Sequence, residues 1–145
     1  MTTYSRILVP LDLGEHTGRI LNHAKVMAER FGASLELLYC VPNPIIPDAT
    51  GLLNPYSPAI LEDARCEAEQ VLGHLLTDPE RTAFHAQATA LIGDPLTTIV
   101  GHARRHKSDL IVMGTHGRTG FTHLFLGSVA ERVVREAPCP VLTIR

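Results

Sequence analysis

The sequence contains no tryptophan, and aromatic residues make up only 5% of it. Its core has to be packed from Val, Leu, Ile and Ala. The three cysteines, Cys40, Cys66 and Cys139, are odd in number, widely spaced and include no CxxC pair. That pattern suggests neither a zinc ribbon nor a dithiol redox motif, and it fits reduced thiols in a cytoplasm. No apolar run approaches the length of a membrane span. The opening MTTYSRILVPLD has a short one, ended by Pro10 and Asp12, too brief even for the apolar region of a secretion signal. Charge of neither sign dominates: 13 Lys and Arg stand against 15 Asp and Glu, for a formal net charge of -2. A basic footprint for nucleic acid is therefore missing. The one basic run, Arg104-Arg105-His106-Lys107, reads as the cationic end of a helix, complementing its dipole. Two phosphate motifs are absent as well. There is no GxxxxGK(S/T) loop and no GxGxxG after the first strand, which disfavours Walker-type and dinucleotide sites.

What is present points to one globular domain over residues 1–145. Hydrophobic residues make up 45% and charged residues 19%, a folded composition. Ile7-Leu8-Val9 is a continuous apolar run ended by Pro10, as expected of a strand buried on both faces. Ile20, Leu21, Ala24, Met27, Ala28 and Phe31 then recur at helical spacing, and Gly32 stands where a C-cap belongs. A second strand runs over 35–41. Residues 42–58 carry five prolines and no periodicity, so they read as a long irregular loop. A helix follows, with Leu61, Ala64, Ala68, Val71 and Leu75 on one face. An edge strand is expected over 84–91. Asp94 and Pro95 are N-cap and first-turn signals for the next helix. Leu110-Ile111-Val112-Met113 is another buried strand. Val129, Ala130, Val133, Val134 and Ala137 mark a last helix, stopped by Pro138, and 140–144 a final strand. Strands alternating with helices give a doubly wound parallel α/β sheet. Ligands of such sheets sit at the carboxyl ends of the strands, near the switch point.

One of those ends carries the densest signal, the segment from Gly114 to Ser128. It joins a buried strand to a helix and contains Gly114, Gly117, Gly120 and Gly127. Glycines permit positive φ and close backbone approach. Gly127-Ser128 lies where the last helix begins, and free N–H groups with the helix dipole attract phosphate there. The Ser128 hydroxyl adds a donor, and Arg118 is suited to a terminal phosphate. His116 and His123 lie in the same loop, but no nucleophile–base order surrounds them, so they read as surface residues. The remaining histidines show no metal spacing, so no metal site is expected.

The spacing Gly114-x2-Gly117-x9-Gly127-Ser128 resembles the ATP-binding signature G-x2-G-x9-G-(S/T) of the universal stress protein family. Ile7-Leu8-Val9-Pro10-Leu11-Asp12 is similar to the family's opening strand, and Ser108-Asp109-Leu110-Ile111-Val112-Met113-Gly114 to its fourth. Gly127-Ser128-Val129-Ala130 and Ala137-Pro138-Cys139-Pro140-Val141-Leu142 resemble its closing helix and strand. The likeness covers essentially the whole chain. It implies a five-stranded parallel sheet of order 3-2-1-4-5 with helices on both faces, of the adenine nucleotide alpha hydrolase-like type. It implies that Asp12, with Pro10 beside it, Val41, Met113 and Gly114 meet the nucleoside. The phosphates would be held by Gly117, Gly127, Ser128 and the backbone of Val129. The implied ligand is ATP, any Mg²⁺ being held by the phosphates, and the implied role is in the stress response. Homodimers through the final strand are implied too, with no nucleic-acid or membrane partner. No Walker lysine or acidic metal cage is arranged for efficient hydrolysis, though slow hydrolysis stays open. Two other readings remain. One is a related adenylating or pyrophosphatase-type enzyme, whose phosphate loop after the first strand is not matched by Asp12-Leu13-Gly14-Glu15-His16. The other is an interaction domain that binds no nucleotide.

Overall fold

A computed structural model describes residues 3–43, 46–48, 51–53, 56–115 and 126–145. Strand β1 (Arg6–Leu11) leads to helix α1 (Thr17–Phe31) and strand β2 (Ser34–Val41). Two three-residue strands follow, β3 (Ile46–Asp48) and β4 (Gly51–Leu53), and then helices α2 (Pro58–His74) and α3 (Asp78–Ala83). The chain continues as β5 (Gln87–Ile92), α4 (Pro95–His106), β6 (Leu110–Gly114), α5 (Ser128–Glu136) and β7 (Val141–Ile144). Five strands form one parallel sheet in the order β5-β2-β1-β6-β7. Counting only these five, the order is the expected 3-2-1-4-5.

Because side chains alternate along a strand, each central strand serves two cores. Ile7, Val9 and Leu11 of β1 join Leu35, Leu37 and Val112 on the face covered by α1, with Leu72 of α2. Leu8, Leu38, Ile111 and Met113 point the other way, into Ile99 and Ala103 of α4 and Ala130 and Val133 of α5. Helices α1 and α2 thus cover one face and α4 and α5 the other. Burial on both faces explains why the central strands read as unbroken apolar runs.

The helix boundaries follow local chemistry. Gly32 ends α1 at φ 65° and its N–H donates to the Ala28 carbonyl, a left-handed position that favours glycine. The Asp94 side chain accepts from the Thr97 N–H and caps α4. The basic run closes the last turn of α4, and Lys107 takes the left-handed cap position.

Four expectations are corrected. The proline-rich segment contains an antiparallel pair, β3 with β4, and is not wholly irregular. The edge strand begins at Gln87 because Asp78–Ala83 forms a short helix just before it. That helix carries a capping box in which Thr77 and Glu80 satisfy each other's backbone N–H. Val71 and Val134 lie on exposed surface instead of the core.

Leu8 is 0% exposed in the core beneath α4 and α5, whereas Val134 is 49% exposed. Leu8→Ala is expected to cost about 2–5 kcal/mol through lost burial and a residual cavity. Val134→Ala is expected to stay within about 0.5 kcal/mol. Urea unfolding of both variants checks the assignment.

Candidate functional site

The two ladders of β1 end at different heights. Its register with β2 runs to Leu11↔Tyr39, while its register with β6 runs only through Ile7↔Leu110 and Leu8↔Ile111. Beyond that point β1 and β6 have no further register pairs. This is also where the chain switches direction of winding, with β2 and β5 on one side of β1 and β6 and β7 on the other. A crevice at the carboxyl edge is the consequence.

Pro10 is buried in β1 and Asp12 follows the strand half-exposed. The Gly14 N–H donates to Asp12 Oδ1 at 2.9 Å, so Asp12 holds the first strand–helix turn. A Cβ on Gly14 would stand 3.1 Å from the same oxygen, which is tight. Leu13 between them sits at φ 58°, an uncommon conformation for a residue with a side chain. Asp12 is thus a turn-former as well as a polar group at the crevice, and the two roles are compatible.

Val41 is the last residue of β2, buried, and its carbonyl accepts from the Gly93 N–H at 3.0 Å. With Leu13, Tyr39, Tyr56, Leu61 and Ala68 it lines a largely apolar cavity of about 480 Å³ on the α2 side of the sheet. That volume falls in the range of small-molecule pockets. Cys40 beside it faces the α4 core, where burial pushes its thiol up to about 11 and the nearby Asp94 adds to the shift, against a hydrogen bond with Thr98. Asp94 itself is held below the usual carboxylate range by the backbone N–H and hydroxyl of Thr97.

On the other side of the crevice, Met113 is buried and Gly114 half-buried at the end of β6. The Thr115 N–H donates to the Ile144 carbonyl at 2.9 Å, and the Thr115 carbonyl accepts from the Gly127 N–H at 2.6 Å. That second bond brings the start of α5 to the end of β6. Gly127 is the N-cap of α5 and contributes no side-chain cap bond, as is also true of His16 at the start of α1, whereas Ser57, Thr77 and Asp94 cap α2, α3 and α4 with theirs. The first-turn N–H groups of a helix have no partner inside it. Ser128 is exposed and Val129 half-buried at that end.

Pro10, Asp12, Val41, Met113, Gly114, Gly127, Ser128 and Val129 therefore all lie along the carboxyl edge of β1, β2 and β6. Gly117, Arg118, His116 and His123 lie outside the described residues. Gly127 has φ -57°, which any residue adopts, so unusual φ does not account for a glycine there.

The chain matches the model of the universal stress protein family over residues 3–145. It belongs to that family. A universal stress protein of Methanocaldococcus jannaschii is 34% identical over 144 residues, covering 98% of this chain and 82% of the relative. Another, from Thermus aquaticus, is 36% identical and covers 98% and 99% of the two chains. Among solved structures, the family member UspA from Lactobacillus plantarum superposes with a TM-score of 0.81 at 28% identity, covering 100% of both chains. Two more share the fold at lower identity. One universal stress protein in complex with cAMP has a TM-score of 0.69 at 21%, covering 99% and 98%. One from Archaeoglobus fulgidus in complex with dAMP has 0.62 at 20%, covering 99% and 100%. The fold is the adenine nucleotide alpha hydrolase-like α/β arrangement of this family.

Sequence reasoning missed one group. His102 and His106 stand one turn apart on α4, and Glu36 of β2 meets both. The i, i+4 spacing of the histidines was visible in the sequence, but their carboxylate partner is 66 residues from His102.

Proposed function

We propose that this chain is an ATP-binding regulatory module of the stress response, acting as one domain in the cytoplasm. The observation that carries the reading is the Gly127–Thr115 bond. It sets the start of α5, whose glycine cap brings no side chain to the first-turn N–H groups, beside the open carboxyl edge of β1 and β6. Phosphate is the ligand such an end favours, through unpartnered N–H groups and the positive pole of the helix. In this reading Gly127, Ser128 and the Val129 N–H hold phosphates, joined by Gly117 and Arg118 of the adjoining loop. Pro10, Asp12, Val41, Met113 and Gly114 meet the nucleoside. The apolar lining around Val41 suits a flat heterocycle, and the nucleotides named with two fold relatives, cAMP and dAMP, are adenine nucleotides. Mg²⁺ would be held chiefly by the phosphates and water, as that ion permits.

Gly127→Val should abolish ATP binding, because its side chain fills the space where a phosphate approaches the helix. Ser128→Ala should weaken binding by about 0.5–1.5 kcal/mol, the net worth of one hydrogen bond. Calorimetric titration of both folded variants checks this, and unchanged affinity in Gly127→Val would remove the phosphate site from this loop.

The module works as a homodimer through β7. That strand ends the sheet order, and an open edge is a template for pairing. Pro140 and Ile144 turn their carbonyls toward β6, accepting from the Ile111 and Thr115 N–H groups. By strand alternation, Leu142 also faces β6, while the N–H groups of Val141 and Thr143 face the open edge. Two copies about a two-fold axis would pair these edges as an antiparallel ladder. Leu142→Pro would thus damage the chain's own ladder, and Thr143→Pro is the informative variant. Sedimentation should give twice 15.8 kDa for the parent chain and a shift toward monomer for Thr143→Pro. A parent chain that stays monomeric at high micromolar concentration would exclude the dimer.

A further inference from the structure

At the other end of the sheet, the amino ends of the strands, a second polar group is built across β2 and α4. Glu36 is the third residue of β2 and leaves the sheet on the face that carries Leu38, toward α4. His102 and His106 project from the last two turns of α4, with their rings stacked at 4.1 Å and nearly parallel. His102 Nε2 lies 2.6 Å from Glu36 Oε1, and His106 Nδ1 lies 3.5 Å from the same oxygen. One donor atom from each of the three residues falls within 4.8 Å of the others.

Burial is graded across the group. The His102 side chain is 3% exposed, that of Glu36 17% and that of His106 43%. The group is anchored on the inside and open at His106. His102 Nδ1 is buried and has no hydrogen-bond partner among the described residues. Burial works to raise the Glu36 carboxyl, but the hydrogen bond to His102 and the charges of His102, His106 and Arg6 outweigh it and hold the group below the usual range. Glu36 is thus an anion at neutral pH.

We propose that Glu36, His102 and His106 form a three-ligand site for a borderline transition metal ion, with Zn²⁺ as its type. Two imidazoles and one carboxylate are a donor set that suits such ions, and three protein ligands leave a coordination position for solvent. Metal–ligand bonds of about 2.0–2.2 Å hold tetrahedral donors about 3.2–3.6 Å apart. His106 and Glu36 already stand at such a separation. His102 and Glu36 are closer, joined by a hydrogen bond that the ion would replace by turning the Glu36 carboxylate, and the exposed His106 ring would leave its stack on His102 so that the in-plane lone pairs of both rings reach one ion.

The surroundings select the class of ion. Arg6 acts on Glu36 and donates to the His106 carbonyl at 2.9 Å, and Arg104, Arg105 and Lys107 lie exposed on the same turn of α4. A hard cation held mainly by charge, such as Mg²⁺ or Ca²⁺, would be opposed by this cationic rim and would find too few oxygen ligands. Zn²⁺ meets the same repulsion, but its stronger bonds to imidazole nitrogen offset it. The site is also separate from the carboxyl-edge crevice. Glu36 and Val41 lie five residues apart on β2, about 17 Å at the usual strand rise. A bound ion would tie the start of β2 to the end of α4.

Tag-free protein, stripped with a chelator, is titrated with Co²⁺ while its visible absorption is followed, and Zn²⁺ is then added in competition. The expected result is one Co²⁺ per chain with tetrahedral d–d bands, displaced by Zn²⁺. His106→Ala and Glu36→Gln should each weaken binding by about tenfold or more, while His74→Ala, exposed on α2 far from the group in sequence, should not. His106 is half-exposed, so its variant folds and decides the matter even where Glu36→Gln does not. Absence of Co²⁺ and Zn²⁺ uptake at high micromolar metal would overturn the proposal, as would uptake that His106→Ala leaves unchanged.

Discussion

Strand β1 keeps its pairing with β2 to Leu11 but stops pairing with β6 after Leu8, and the shape of the molecule depends on that difference. A parallel sheet wound outward in both directions from one central strand must place its crossover helices on opposite faces. Helices α1 and α2 take one face and α4 and α5 the other, and the connections that leave the carboxyl ends of β1 and β6 run in opposite directions, toward β2 and β7. The carboxyl edge is therefore open where three chain segments arrive: the turn held by Asp12, the end of β2 at Val41, and the start of α5 tied to Thr115.

The two ends of the sheet differ in chemistry. The carboxyl edge combines an apolar cavity around Val41 with a helix start whose N–H groups lack a side-chain cap. It suits a ligand with a flat apolar part and an anionic part. The amino edge gathers a half-buried carboxylate, two stacked imidazoles and a cationic rim on the last turn of α4. The same helix serves both, since α4 begins at the carboxyl edge with Asp94 and ends at the amino edge with His106. Its own Leu96, Ile99, Val100 and Ala103 pack it onto the sheet.

Much of this was legible in the sequence because the deciding signals are local. The runs at Ile7–Leu8–Val9 and Leu110–Met113 could only be strands buried on both faces. Gly32, Asp94 and Pro138 each mark a helix end through their own backbone chemistry. The strand order and the residues along the carboxyl edge followed from the family resemblance and the alternation of elements. Helix α3 was missed although Thr77-x2-Glu80 is a capping-box pattern, because six residues are too few to show a helical period. The β3–β4 pair was missed because prolines mask its short ladder. The Glu36–His102–His106 group could not be read, since register and helix placement, not spacing along the chain, bring β2 to α4. Val134 was misassigned because α5 is narrow, and a residue next to buried Val133 on a nine-residue helix turns outward.

The central claim is that the carboxyl edge holds ATP. Its most direct test is mass spectrometry of the small molecules released on denaturing the protein. The protein is first incubated with ATP and freed of excess nucleotide by gel filtration. Intact ATP, retained in proportion to chain concentration, is the expected result. Release of no adenine nucleotide would contradict the claim, and release of turned-over product alone would place the chain among enzymes instead of binding modules.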